Sequence, residues 1–366
     1  MNNTKISIII PTYNDEEYIQ KCLYSIVSQS YTNIEVIVVV DGATDNTLEI
    51  AKQYIDDDRV KVYFQNNAGS GPARNYGLSK ATGEYVMFVD ADDWLPVDAL
   101  NSLAEGVNDF KYDLVVGARV LKSSHHWADQ REIIDNFMSK EKVLTQKKFL
   151  KCYIERSIQA TWKILYRHSL IKENNIKYPD LRRSQDIGFN LRIFAVISSI
   201  LFIDKEVYCY RMPNIRQNRR NEKKYVYAHD NYIDIVLKLR RILFDSVSQS
   251  GYKLSNEELC LINLNHFNHS LNCIYRNAQK MGRGYKEWLV AKSEDTHFKE
   301  IISGCIANDR LDEKVRQNLE IQNYKKAIRY IKKKCLLLRI KACVPIEVKL
   351  KIKSIIKDKQ TGGINL

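Results

Sequence analysis

"SIIIPTYNDEEYIQKCLYSIVSQSYTNIEVIVVVDGATDNT", residues 7–47, places two unbroken apolar runs around a stretch of helical periodicity and ends each run in a polar turn. Residues 5–10 and 34–40 are rich in β-branched side chains and lack polar alternation, so both predict strands covered on two faces. Residues 16–29 between them predict a helix. Further strands of the same kind follow at "VKVYF" (60–64), "EYVMFV" (84–89) and "YDLVVGARV" (112–120), with helical patterns over 44–55, 72–81 and 96–110. Alternating strand and helix predict βαβ units and an α/β, doubly wound, mostly parallel sheet.

Such sheets bind ligands beyond the carboxyl ends of their strands. The segments there are "PTYN" (11–14), "DGATDN" (41–46), "QNNAGSGPARN" (65–75) and "DADDW" (90–94), all polar or glycine-containing. "GSGPAR" has Arg74 where a dinucleotide fingerprint needs its third glycine, and no P-loop lysine motif occurs. What remains is a rim with Asp41, Arg74, Asp90 and Asp92 facing one crevice. That set suits a nucleotide diphosphate held through a divalent metal. Asp90, Asp92 and Asp93 repel one another at the end of an apolar strand, and nothing in folding requires them, so a cation or ligand is expected to compensate.

Taken together, residues 7–47 and "NNAGSGPARNYGLSKATGEYVMFVDADDW" (66–94) resemble the nucleotide-binding half of family 2 glycosyltransferases, inverting enzymes with a GT-A fold. The likeness is strong over 4–121 and thinner to about 213. It implies that Thr12, Tyr13, Asn14 and Asp41 hold the base and ribose of a nucleotide sugar, and that Asn67 and Arg74 line the donor pocket. "DADD" (90–93) corresponds to the family's DxD element: Asp90 and Ala91 lie against the donor, and Asp92 is the ligand of Mg²⁺ or Mn²⁺. Asp93 either acts there or starts the turn before Pro96.

The resemblance also implies a base, since inversion is a single displacement assisted from the face opposite the leaving group. The family sets this Asp at a helix N-terminus, commonly after a Glu; here "LRRSQDIGFNLRIF" (181–194) gives Asp186, preceded by Gln185. In "TWKILYRHSLI" (161–171), Trp162 and Lys163 belong to the acceptor side, with Trp162 either stacking on a sugar face or anchoring the core. Relatives carry a loop over the diphosphate near 208–220, where this chain has Asn214, Arg216 and Gln217; Arg216 is the candidate phosphate contact. His229 either completes the metal shell or is structural.

The expected organisation is a catalytic domain over 1–215 (donor half 1–121, acceptor half 122–215), a helical region over 216–322 and a basic amphipathic tail over 323–366. Residues 323–359 hold 13 Lys or Arg against Glu347 and Asp358, so most of the formal +13 resides there. A charge so localised argues against a general nucleic-acid binder, and the tail interleaves its cations with Leu, Ile and Val rather than stacking aromatics. Tyr324, Ile328, Ile331, Cys335 and Leu338 form one helical stripe, which predicts peripheral contact with an anionic membrane. The eight scattered cysteines form no CxxC pair, the N-terminus enters a strand directly, and the longest uncharged apolar run, 193–202, is half a membrane span. Together these predict a cytoplasmic protein on the inner face of the membrane.

The expected activity is metal-dependent transfer of a sugar from a nucleotide donor, a UDP-sugar, to a hydroxyl of a growing, often lipid-linked, surface glycan. A sugar-nucleotide nucleotidyltransferase is the rival enzyme class. It needs a glycine-rich loop after the first strand, and "PTYNDEE" is not one.

Overall fold

The computed structural model describes residues 4–107, 112–123, 130–131, 160–212, 232–281, 284–305, 307 and 310–343. These divide into two units, one drawn from Met1–Val226 and Lys238–Leu254, the other from Tyr227–Leu237 and Ser255–Leu366.

The first unit is built on a sheet of strands β1 (Ile6–Thr12), β2 (Ile34–Asp41), β3 (Val60–Gln65), β4 (Tyr85–Phe88), β5 (Leu114–Ser123), β6 (Gln130–Arg131), β7 (Ile164–Arg167) and β8 (Ile200–Met212). The order is β3-β2-β1-β4-β7-β5-β6, with β8 paired to β5. Every residue of β1, β2 and β4 is buried, as uninterrupted apolar strands require. β3, β2, β1 and β4 run parallel. Their registers, Thr12 opposite Val40 and Asp41 opposite Gln65, bring the segments after them to one rim.

Two strands differ from expectation. β3 is an edge strand, and Phe64 is 54% exposed, because a strand with a neighbour on one side only is not covered like β1 and β2. β7, read in the sequence only as an acceptor-side segment, enters antiparallel between β4 and β5. The sheet stays mostly parallel because β8 returns parallel to β5.

The helices of this unit are α1 (Ile19–Val27), α2 (Thr47–Lys52), α3 (Ser70–Lys80), α4 (Ala99–Glu105), α5 (His168–Glu173) and α6 (Gln185–Phe194). Pro72 lies in the first turn of α3, where an N–H has no intrahelical partner to lose. α3 packs closely on β1: a Cβ at Gly77 would stand 2.4 Å from Ile9 Cγ2. α4 begins three residues after Pro96, since Asp98 is left-handed at φ 59°.

α7 (Tyr232–Ser250) contributes to both units. The second unit adds α8 (Asn256–Lys280), α9 (Tyr285–Glu294), α10 (Thr296–Ser303), α11 (Arg310–Glu320) and α12 (Tyr324–Cys343). Ser255 and Glu258 form a capping box that starts α8. The core of this unit gathers Phe267, Ile274, Leu289, Phe298, Ile301 and Val315.

The apolar stripe expected to face a membrane is largely taken up here. Ala327, Ile331 and Cys335 are buried in this core, and Tyr324 and Ile328 pack against it. The Leu338 side chain and residues 344–366 lie outside the described residues. No helix among the described residues is long and apolar enough to cross a membrane.

Candidate active site

The rim is held by side chains that tie one loop to the next. At the end of β1 the chain turns through Asn14, which is left-handed at φ 53° and whose Oδ1 accepts the Thr44 N–H at 2.7 Å. Asp41 accepts from Gln65 Nε2 at 2.7 Å, the Ala68 N–H at 2.8 Å and the Gly69 N–H at 2.7 Å. Three bonds leave one lone pair of the carboxylate, on Oδ2, for an incoming donor group. Gly42, at φ 70°, lets the loop after β3 approach: a Cβ there would meet Asn67 N at 2.6 Å.

A cleft of about 260 Å³ opens over this rim, lined by Pro11, Thr12, Tyr13, Asp15, Asp41, Ser70, Arg74, Asp90, Ala91 and Asp92. Tyr13 is 48% exposed and presents a ring beside it. Asp15, absent from the sequence expectations, accepts from Thr12 Oγ1 at 2.9 Å and from the Tyr13 N–H at 3.0 Å. Burial pushes its carboxyl up to about 6 against those two bonds.

Arg74 is the link between two carboxylates. Its Nη2 donates to Asp90 Oδ1 at 2.6 Å, and its Nη1 lies 3.7 Å from Asp186 Oδ1. Burial disfavours the guanidinium charge, yet Asp90 and Asp186 outweigh it and hold the arginine firmly protonated. Asp186 lies in the first turn of α6, after the left-handed Ser184 at φ 57°. Burial raises its carboxyl above the ordinary value, Arg74 lowers it, Asp90 raises it, and a hydrogen bond with Thr161 lowers it again. Gln185 is engaged by other neighbours: Ser70 Oγ donates to its Oε1 at 2.8 Å, and its Nε2 donates to the Leu181 carbonyl.

Asp92 accepts from Arg211 Nη2 at 2.6 Å. Burial and Asp90 raise its carboxyl, and Arg211 draws it back. Asp93 points inward, accepting from Tyr208 Oη at 2.6 Å and the Arg211 N–H at 2.8 Å, while the Asp90 N–H donates to Tyr208 Oη at 3.1 Å. Burial and the two neighbouring aspartates push the Asp93 carboxyl up to about 8. Asp93 therefore fastens the end of β8 under the rim.

The structure brings Thr12, Tyr13, Asp41, Arg74, Asp90, Ala91 and Asp92 to one cleft, with Asp186 reached through Arg74. Asn14 holds an adjoining loop and Asn67 lies against Gly42, and neither is among the residues lining the cleft. Trp162 is 7% exposed and stacks on Tyr208 and Tyr210 at 4.9 and 5.4 Å, a burial that fits the core-anchor reading. Lys163 is also buried, in a left-handed conformation at φ 66°. Asn214, Arg216, Gln217 and His229 lie outside the described residues. Arg211 is not among the expected site residues, although it falls within 208–220, just before the loop residues named there.

Among the described residues, no three His, Cys, Asp or Glu side chains cluster to cage a metal by themselves. Mg²⁺ and Mn²⁺ at phosphate-transfer sites use one or two carboxylates and complete their shells with the substrate's diphosphate and water. The partly accessible Asp92 carboxylate, in a cleft shared with Asp90, matches that donor set.

Parallel strands delivering carboxylates to one rim, with antiparallel strands completing the sheet beyond β4, define the GT-A nucleotide-sugar transferase architecture. Comparison agrees: the crystal structure of S. aureus TarS 1–349 in complex with UDP-GlcNAc superposes with a TM-score of 0.66 at 20% identity, over 90% of each chain. The family model described as Glycosyl transferase family 2 matches residues 7–174. The glycosyltransferase YibD of Escherichia coli is 31% identical over 255 residues, 66% of this chain and 72% of YibD. Glycosyltransferase GlyA of Streptococcus pneumoniae is 30% identical over 238 residues, 61% of this chain but only 33% of GlyA's own length. The chain belongs to glycosyltransferase family 2.

Proposed function

We propose that this chain is a metal-dependent inverting glycosyltransferase that moves a sugar from a UDP-sugar to a hydroxyl of a bacterial surface glycan. The observation that carries the reading is Arg74 standing between Asp90 on the donor rim and Asp186 at the start of α6. That geometry joins a nucleotide cleft to a carboxylate whose basicity burial raises above the ordinary value, as a general base requires.

The remaining lone pair of Asp41 accepts from uracil or a ribose hydroxyl, and the exposed Tyr13 ring lies alongside. Asp92, with Asp90 beside it, would hold Mg²⁺ or Mn²⁺, which neutralises charge developing on the departing diphosphate. Asp186 takes the proton of the acceptor hydroxyl as its oxygen bonds to the anomeric carbon and the bond to the diphosphate oxygen breaks. A single displacement inverts the anomeric centre.

TarS supports the donor class, since its solved complexes hold UDP and UDP-GlcNAc. The protein named TarS is a poly(ribitol-phosphate) β-N-acetylglucosaminyltransferase, which supports a surface-polymer acceptor in capsule, lipopolysaccharide or exopolysaccharide assembly. The exposed cations of α12 support a peripheral position on the inner face of the membrane. Purified protein is to be screened against nucleotide sugars with Mn²⁺, scoring nucleotide release. Release from UDP-sugars, abolished by chelation, is expected; release only from other nucleotides, or undiminished by chelator, overturns the donor or metal assignment.

A further inference from the structure

We propose that Arg211 is an exchangeable counter-ion of Asp92, which yields that carboxylate to the metal only when the diphosphate of the donor arrives to receive its guanidinium. The inference rests on the reading of Asp92 as the metal ligand. Arg211 Nη2 donates to Asp92 Oδ2 at 2.6 Å. On the neighbouring carboxylate, Arg74 Nη2 donates to Asp90 Oδ1 at 2.6 Å. Asp90 and Asp92 are thus paired one to one with arginines, and a bare divalent cation finds little uncompensated charge on them. Placing it on Asp92 with Arg211 still attached would crowd two positive centres onto one partly buried carboxylate.

The two arginines differ in what holds them. The Arg74 side chain is 7% exposed and stands between Asp90 and Asp186. The Arg211 side chain is 23% exposed, and beyond Asp92 its guanidinium rests on the Tyr18 ring at 4.0 Å. The Arg211 backbone is fixed independently of that side chain. Its N–H donates to Asp93 Oδ1 at 2.8 Å, and Asp93 also accepts from Tyr208 Oη at 2.6 Å. The side chain can therefore leave Asp92 by rotating about its own bonds while the end of β8 stays in place.

A diphosphate supplies what moves it. A guanidinium matches phosphate oxygens with two parallel N–H bonds, a stronger contact than one carboxylate bond and an aromatic face. Arg211 and a divalent cation carry like charge, so both are held in one cleft at less cost once the diphosphate adds its negative charge. The consequence is linkage: nucleotide and metal each raise the other's affinity by the same factor, and Arg211 sets the size of that factor.

The test follows binding rather than turnover, in the full chain. Free Mn²⁺ is read by electron paramagnetic resonance with and without UDP, against a protein-free mixture of Mn²⁺ and UDP, and UDP affinity by calorimetry with and without Mn²⁺. In the unaltered chain UDP is expected to tighten Mn²⁺ binding by about tenfold or more. Arg211→Gln is expected to bind Mn²⁺ alone about tenfold more tightly, the effect of removing one neighbouring positive charge, and to bind UDP with Mn²⁺ more weakly. A merely structural role lowers both affinities together. Arg211→Lys keeps the charge without the planar fork and retains the weak binding of Mn²⁺ alone. Mn²⁺ uptake by the unaltered chain that UDP does not improve, or an Arg211→Gln variant whose affinity for Mn²⁺ alone is not raised, overturns the exchange. No Mn²⁺ uptake with or without UDP, or uptake unchanged by Asp92→Asn, overturns the metal reading and the exchange with it.

Discussion

Arg211 donates from Nη2 to Asp92 at 2.6 Å while its guanidinium lies 4.0 Å over the Tyr18 ring. The arginine thereby offsets the repulsion between Asp92 and Asp90 that the sequence presented as a puzzle. A divalent cation held by Asp92 would meet the same need with twice the charge. Asp92→Asn is expected to remove the Mn²⁺-dependent part of UDP binding in calorimetry and to slow turnover on the order of 100-fold. Mn²⁺-dependent UDP binding that survives the substitution sinks the metal assignment.

Asp186 supplies the second prediction. Asp186→Asn keeps UDP affinity and loses transfer by roughly 10²- to 10⁴-fold, the range for a general base. Burial raises the folded carboxyl above its ordinary 3.8, and the proposed base acts in its ionised form. Turnover therefore falls as pH drops through that raised value, and the asparagine variant lacks the limb. The proposed single displacement is expected to turn an α-linked UDP-sugar into a β-linked product, read from the anomeric coupling by NMR. An α-linked product excludes a single displacement.

The donor half was legible because β1, β2 and β4 announce double-sided burial in unbroken apolar runs, and because the loops after them fall at one rim in any parallel sheet. β7 was not legible. Its four residues carry no periodicity of their own, and their place depends on pairing with β4 and β5, far away in sequence. Trp162 stayed ambiguous for the same reason: its stacking partners Tyr208 and Tyr210 come from β8. The stripe on α12 showed that one helical face is covered, but amphipathicity cannot say by what.

Glu35 tests the scaffold at the opposite end of the sheet. Its buried carboxylate accepts from Lys5 Nζ at 3.1 Å, Ser7 Oγ at 2.6 Å, the Thr82 N–H at 2.6 Å, Thr82 Oγ1 at 2.9 Å and the Gly83 N–H at 3.1 Å. Burial alone would raise its pKa; the bonds from Ser7, Thr82 and Lys5 bring it down to about 2 from 4.5. The stability this contributes is complete above 4.5 and is lost as pH falls toward 2. Glu35→Gln is expected to cost about 3 kcal/mol at neutral pH, with the gap from the unaltered chain narrowing in acid. Urea unfolding at pH 7 and pH 3 measures both; a gap independent of pH rules out the charged carboxylate as its source.

The last prediction concerns α12. With Ala327, Ile331 and Cys335 turned into the helical unit, the exposed residues among the described side chains of α12 are Lys325, Lys326, Arg329, Lys332 and Lys333. None of the five has an ion-pair partner among the described residues, whereas Lys334 pairs with Asp312 at 3.0 Å. The membrane contact proposed for this face is therefore electrostatic, with the inserted apolar stripe of the sequence expectation replaced by a cationic one. Deleting everything after Gln322 is a poor test, because it also removes core residues of the unit. Replacing the five cations by Gln leaves that core intact and removes about 1 kcal/mol of attraction per residue at an anionic surface. Flotation with vesicles containing phosphatidylserine or phosphatidylglycerol is expected to show binding by the unaltered chain that falls with added salt and is strongly reduced in the five-site variant. Equal flotation of the two proteins, or flotation unaffected by salt, removes α12 from the membrane contact.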